Sequence, residues 1–109
     1  MPDFDRDTER DLRTGTRRID ARLDLHGMTQ SAAHAALTQF MAQAAASDAR
    51  TLLIITGRGK EGAGVLRANF RTWLDAMPAS RHILDIRRAA PRHGGEGAFY
   101  ILLKKRRDQ

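Results

Sequence analysis

Thr51-Leu52-Leu53-Ile54-Ile55-Thr56 decides the fold, with Gly57-Arg58-Gly59 directly behind it. A strand with one wet face alternates apolar and polar residues. This run has no polar position between Leu52 and Ile55, so it predicts a central strand covered on both faces. Toward the N-terminus, Arg22-Leu23-Asp24-Leu25-His26 does alternate. It reads as a half-buried strand ended by Gly27, with Leu23 and Leu25 facing inward and Asp24 and His26 sharing the other face. Between the two strands, Ala33, Ala36, Leu37, Phe40, Met41 and Ala44 recur at steps of three and four. That spacing builds one buried helical stripe, with Thr29 placed to cap its start. A helical crossover makes the flanking strands parallel neighbours.

Toward the C-terminus, glycines stand at Gly57, Gly59, Gly62 and Gly64. A second helix begins near Val65, carries Leu66, Phe70, Trp73, Leu74 and Met77 on one stripe, and stops at Pro78. Ile83 to Arg88 reads as a third strand, Ala90 to Gly97 as a turn segment, and Ala98 to Leu103 as a returning fourth strand. The order β-α-β-α-β-β predicts an α/β fold, a two-layer sandwich on a four-stranded mixed sheet. Residues 1–20 alternate in charge sign, with Gly15 among too few apolar residues for a core face. They read as a flexible charged tail or linker, leaving 21–105 as the domain and 106–109 as a basic C-terminal tail.

Composition narrows the chemistry. There are no cysteines, which removes disulfides, thiolate zinc sites and cysteine nucleophiles. No apolar run approaches a membrane span, and the charged first eleven residues do not read as a signal peptide. The expected state is a cytoplasmic monomer with no membrane partner. The net charge is +6, unevenly spread: residues 1–20 sum to −1 and the remainder to +7. A basic folded part favours polyanions, because phosphate contacts release condensed counterions. Solubility alone is the plainer account of such charge.

In open α/β sheets, ligands bind beyond the carboxyl ends of the strands. Asp24 and His26 end the first strand there. An imidazole moves protons near neutral pH and a carboxylate beside it orients the ring, so the pair suits acid–base work on a phosphodiester. The same pair could instead hold a divalent metal that activates water, or simply satisfy neighbouring backbone groups. Gly57, Arg58, Gly59 and Lys60 follow the second strand, where glycines permit close backbone approach to a phosphate and the cations neutralise it. The spacing is not that of a P-loop. Arg87, Arg88, Arg92, His93, Gly94 and Gly95 add cations and a further titratable group around the last turn. Tyr100 could stack a base, though packing is the simpler role. His34 and His82 lack partners at metal-ligand spacing.

Together, Leu23-Asp24-Leu25-His26-Gly27, Thr56-Gly57-Arg58-Gly59 and His93-Gly94-Gly95-Glu96-Gly97-Ala98 resemble the Smr (small MutS-related) domain over about residues 19–105. The resemblance is to a bacterial member standing alone, the module also occurring at the C-terminus of MutS-like proteins. It implies a fold similar to the C-terminal domain of translation initiation factor three, and endonuclease activity on DNA or RNA, in some members tied to the ribosome. It makes Asp24 and His26 the proposed catalytic pair, with Gly57 and Gly59 in the glycine loop. Many members have a histidine where this chain has Thr56, which leaves His93 as the nearby substitute. The resemblance leaves open whether a divalent metal such as Mg²⁺ or Mn²⁺ is needed, and no metal-ligand set is assigned.

Overall fold

The computed structural model describes residues 6–58 and 63–105 of the 109. The elements in chain order are α1 (Arg6–Thr14), β1 (Ala21–Asp24), α2 (Gln30–Ala45), β2 (Thr51–Ile55), α3 (Ala63–Ala76), β3 (Ile83–Arg88) and β4 (Ala98–Leu103). A 3-10 turn (Pro78–His82) precedes β3, and two more (Pro91–His93, Gly95–Gly97) join β3 to β4. The sheet order is β1-β2-β4-β3. β1 and β2 are parallel, and β4 runs antiparallel to both of its neighbours. The carboxyl ends of β1, β2 and β3 therefore lie at one edge of the sheet, with the start of β4 between them.

The central strand behaves as its sequence requires. Leu52, Leu53 and Ile54 are all buried, and successive residues feed opposite cores. Leu52 and Ile54 join Leu25, Ile101, Leu103 and the inward stripes of α2 (Ala33, Leu37, Met41) and α3 (Leu66, Phe70, Leu74). Thr29 caps α2 as expected, its hydroxyl accepting from Ala32 N–H at 3.1 Å. Leu53 joins Tyr100, Leu102, Ala98 and Leu12 on the other face. Each buried leucine, isoleucine, methionine or phenylalanine contributes about 1.5–3 kcal/mol by leaving water, so the sheet gains on both sides.

Leu12 corrects the expected N-terminal tail. Residues 6–14 form a helix on the sheet face opposite α2 and α3, with Leu12 buried in the second cluster. The glycine that interrupts the sequence ends that helix. Gly15 has φ +80°, its N–H donates to Asp11 C=O at 2.9 Å, and a Cβ there would lie 2.5 Å from Arg92 Cγ. Asp20 then ties the segment to β2: its Oδ2 accepts from Arg50 N–H (2.8 Å) and Thr51 N–H (3.0 Å). Partial burial opposes ionisation of Asp20, but those two backbone donors and the nearby Arg18 and Arg17 charges outweigh it and hold the carboxyl below its ordinary range.

Candidate functional site

Three loops meet at the carboxyl edge, and main-chain bonds fix their contact. Leu25 N–H donates to Ile55 C=O at 2.7 Å, carrying the β1 end alongside β2. Thr56 N–H (2.8 Å), Gly57 N–H (3.0 Å) and the Thr56 hydroxyl (3.3 Å) all donate to Gly97 C=O. Gly97 must be glycine, because a Cβ would stand 2.7 Å from the Gly57 carbonyl carbon. Arg58 Nε donates to Gly94 C=O at 3.1 Å, closing the glycine loop onto the His93-Gly94-Gly95 turn.

Asp24 and His26 are joined as their spacing suggests. His26 Nδ1–H donates to Asp24 Oδ1 at 2.6 Å, and the His26 backbone N–H donates to the same oxygen at 3.0 Å. Burial disfavours the Asp24 charge, but the two His26 hydrogen bonds, with the His26 and Arg22 charges, outweigh it and lower the carboxyl pKa. The His26 side chain is 69% exposed and Asp24 44%. With Nδ1 committed to the carboxylate, Nε2 is the ring atom left to accept or return a proton at the surface.

His93 is held differently. Tyr100 is fully buried, which excludes base stacking on its ring. Its hydroxyl accepts from Ala90 N–H at 3.2 Å and donates its own hydrogen to His93 Nδ1 at 2.7 Å. That arrangement suits the neutral imidazole with its hydrogen on Nε2. Burial, then the Arg92 and Arg22 charges, lowers the His93 pKa in the same sense.

The remaining residues divide. Arg58 and Arg92 are exposed at this edge, and the Arg92 stem packs on Gly15. Arg88 is exposed at the end of β3, but in register with Phe99 it lies on the face that α2 and α3 cover. Arg87 does not join the group. Its guanidinium donates to Glu9 at 2.6 and 2.9 Å and to Asp85 at 2.8 Å, pinning α1 to β3. Gly59 and Lys60 lie outside the described residues.

Sequence reasoning missed two cations. Arg22 sits opposite Leu53 in the β1–β2 register and shares a face with Asp24; its guanidinium makes no side-chain hydrogen bond or ion pair among the described residues, though its charge acts on Asp24 and His93. The alternation that placed Asp24 and His26 together also places Arg22 with them, so the signal was present. Arg67 on α3 donates to Glu96 C=O at 3.4 Å, a contact across 29 positions with no local signature. Among the described residues, no three His, Cys, Asp or Glu side chains gather to hold a metal ion. Asp24 and His26 alone would offer one oxygen and one nitrogen, and Asp24 Oδ1 already serves two donors.

These features define an open-sheet α/β domain whose polar loops converge at the carboxyl ends of its parallel strands. The chain belongs to the Smr domain family, a nucleic-acid-binding and nuclease-associated fold family, whose model matches residues 23–104. Among solved structures it is similar to YdaL, a stand-alone small MutS-related protein from Escherichia coli. That match has 29% identity and a TM-score of 0.76 over 96% of this chain and 80% of that one. It is also similar to the Smr domain of Thermus thermophilus MutS2, at 27% identity and a TM-score of 0.65, over 77% of this chain and 98% of that one. An uncharacterized protein of Treponema pallidum (strain Nichols) is 39% identical over an alignment of 98 residues that covers 88% of this chain. The match spans 46% of that relative's length. The family match begins at residue 23, so α1 lies outside it. No helix among the described residues is long and apolar enough to cross a membrane.

Proposed function

We propose that this chain is a cytoplasmic endonuclease that binds DNA or RNA along the loop edge and cleaves a phosphodiester bond beside Asp24 and His26. The observation that carries this reading is the 2.6 Å Asp24–His26 hydrogen bond with the far side of the imidazole open to solvent. Asp24 fixes the ring tautomer and stabilises the imidazolium as it forms. His26 Nε2 takes the proton from the attacking oxygen, a water or an RNA 2′-hydroxyl. That oxygen bonds to phosphorus, the bond to the leaving oxygen breaks, and the proton returns to the leaving oxygen. Arg58 and Arg92, with Lys60 in the same loop sequence, offset the phosphate charge. A second reading, a binding module for structured RNA, branched DNA or the ribosome without chemistry, draws on Thr56. It occupies the position where many Smr members have histidine, and it is buried with its hydroxyl on Gly97 C=O.

The test is cleavage of matched labelled RNA and DNA, single-stranded, duplex and branched, with Mg²⁺, Mn²⁺ or EDTA, beside an Asp24→Ala/His26→Ala double variant. Products from the wild type alone support the enzyme and name its polymer and metal need. Salt-sensitive binding with no cleavage on any substrate supports the binding module instead.

A further inference from the structure

A hollow of about 310 Å³ lies on the sheet face opposite α2 and α3, bounded by Ile19, Asp20, Ala21, Arg22, Leu53 and His93. Its size is at the low end of the roughly 300–1,000 Å³ typical of small-ligand sites. The lining is of mixed chemistry, with each part in a fixed role. Half-buried Ile19 is the accessible apolar wall, and Leu53, nearly fully buried, closes the floor beneath it. Asp20 Oδ2 is committed to the Arg50 and Thr51 N–H groups, and its Oδ1 pairs with Arg18, which offsets its charge. Arg22 is exposed, and its guanidinium makes no hydrogen bond or ion pair among the described residues. The His93 ring is fixed through Nδ1 by the buried Tyr100 hydroxyl, which leaves Nε2 as its remaining polar atom. An apolar surface between one guanidinium and one fixed imidazole suits a ligand with a flat, weakly polar body and an anionic attachment.

We propose that this hollow is a subsite for one unpaired nucleotide of a single-stranded nucleic acid, its base against Ile19 above the Leu53 floor and its phosphate on Arg22, next to the Asp24–His26 pair. The proposal rests on the nucleic-acid reading of the loop edge and adds to it where the chain is gripped. Arg22 and Asp24 alternate on β1 on the same face, so a nucleotide held at Arg22 sets the neighbouring phosphodiester beside the catalytic pair. A paired base is stacked on both faces and its edge is occupied; only an unpaired or flipped one can enter such a hollow. His93 then donates from Nε2 to an acceptor on the base edge. Among the described residues no exposed aromatic side chain lines the hollow, so the base is recognised chiefly by the His93 hydrogen bond.

The experiment compares a labelled short oligothymidylate with an abasic phosphodiester chain of equal length, by fluorescence anisotropy at low salt in EDTA. The wild type is expected to bind the intact oligomer about tenfold more tightly, a difference of about 1.4 kcal/mol. In His93→Asn that preference should shrink to less than twofold, while Arg22→Ala weakens both ligands by a similar factor. Amide chemical shifts of wild-type Ala21 and Leu53 should respond to the intact oligomer and barely to the abasic chain, a readout that depends on no variant. If the abasic chain binds equally well and moves the same amides, the subsite is wrong while nucleic-acid binding stands. If neither ligand binds at low salt, the nucleic-acid reading fails and takes the subsite with it.

Discussion

Asp24 and His93 carry shifted titrations at the site, and the sign of each follows from its surroundings. Asp24 has a lowered pKa, so its folded-state advantage is present above the ordinary aspartate range and is lost as the pH falls through the depressed value. Asp24→Asn should flatten the acid limb of a stability–pH curve followed by thermal melting. The His93 pKa is also lowered, which for a base means that the fold favours the neutral ring. Between the ordinary histidine pKa and the depressed one, the unfolded chain binds more protons and stability rises with pH. Acidification from pH 7 to about 5 should therefore lower the melting temperature of the wild type more than that of His93→Gln. Proton-detected NMR of the two rings would check the assignment, with His93 bearing its hydrogen on Nε2 and His26 on Nδ1. Aspartate and histidine two apart on an alternating strand were legible in the sequence. The Tyr100–His93 bond was not, because its meaning depends on a hydroxyl buried on another strand.

At the scale of elements, periodicity disclosed what was self-sufficient and missed what was borrowed. The two crossover helices and four strands each carry their own hydrophobic pattern, and each appears in the structure where the pattern puts it. The α1 helix has no such pattern. Its nine residues bury one leucine, and a further anchor is the Glu9–Arg87 pair, 78 positions apart. Short helices gain most of their stability from tertiary packing, so the sequence read as a tail. For the same reason Arg87 read as a phosphate ligand, when Glu9 and Asp85 hold it. Leu12→Ala should destabilise the protein by about 2 kcal/mol, the low end for a buried leucine, read as a shift in the urea midpoint. Gly97→Ala should be worse for the site than for the fold. The added methyl pushes on Gly57, at a cost of about 1–3 kcal/mol, and separates the glycine loop from the His93 turn. Nucleic-acid binding by a variant that remains folded should fall with it.

For the whole molecule, charge and topology point to the same edge. The acidic excess of residues 1–20 is partly spent on structure, through Glu9 on Arg87 and Asp20 on the start of β2, while Arg22, Arg58 and Arg92 remain exposed near the converging loops. Binding should weaken linearly in log affinity against log salt, with a slope near −0.7 per phosphate contact on single strands and −0.9 on duplex DNA. Arg58→Ala should make the slope shallower by about one contact's worth. Topology made this edge legible in advance: a parallel pair with a helical crossover brings both loops to one side whatever the intervening sequence. The face on which each cation lies became clear only from strand register.

The central claim is that His26, oriented by Asp24, moves the proton in phosphodiester cleavage. Its most direct test is the single-turnover cleavage rate of His26→Ala, measured with its affinity for the same substrate and with imidazole added to the buffer. The account predicts a rate loss of about 10²–10⁴-fold, affinity within several-fold of wild type, and partial recovery of the rate by free imidazole. Cleavage by His26→Ala at the wild-type rate would contradict it.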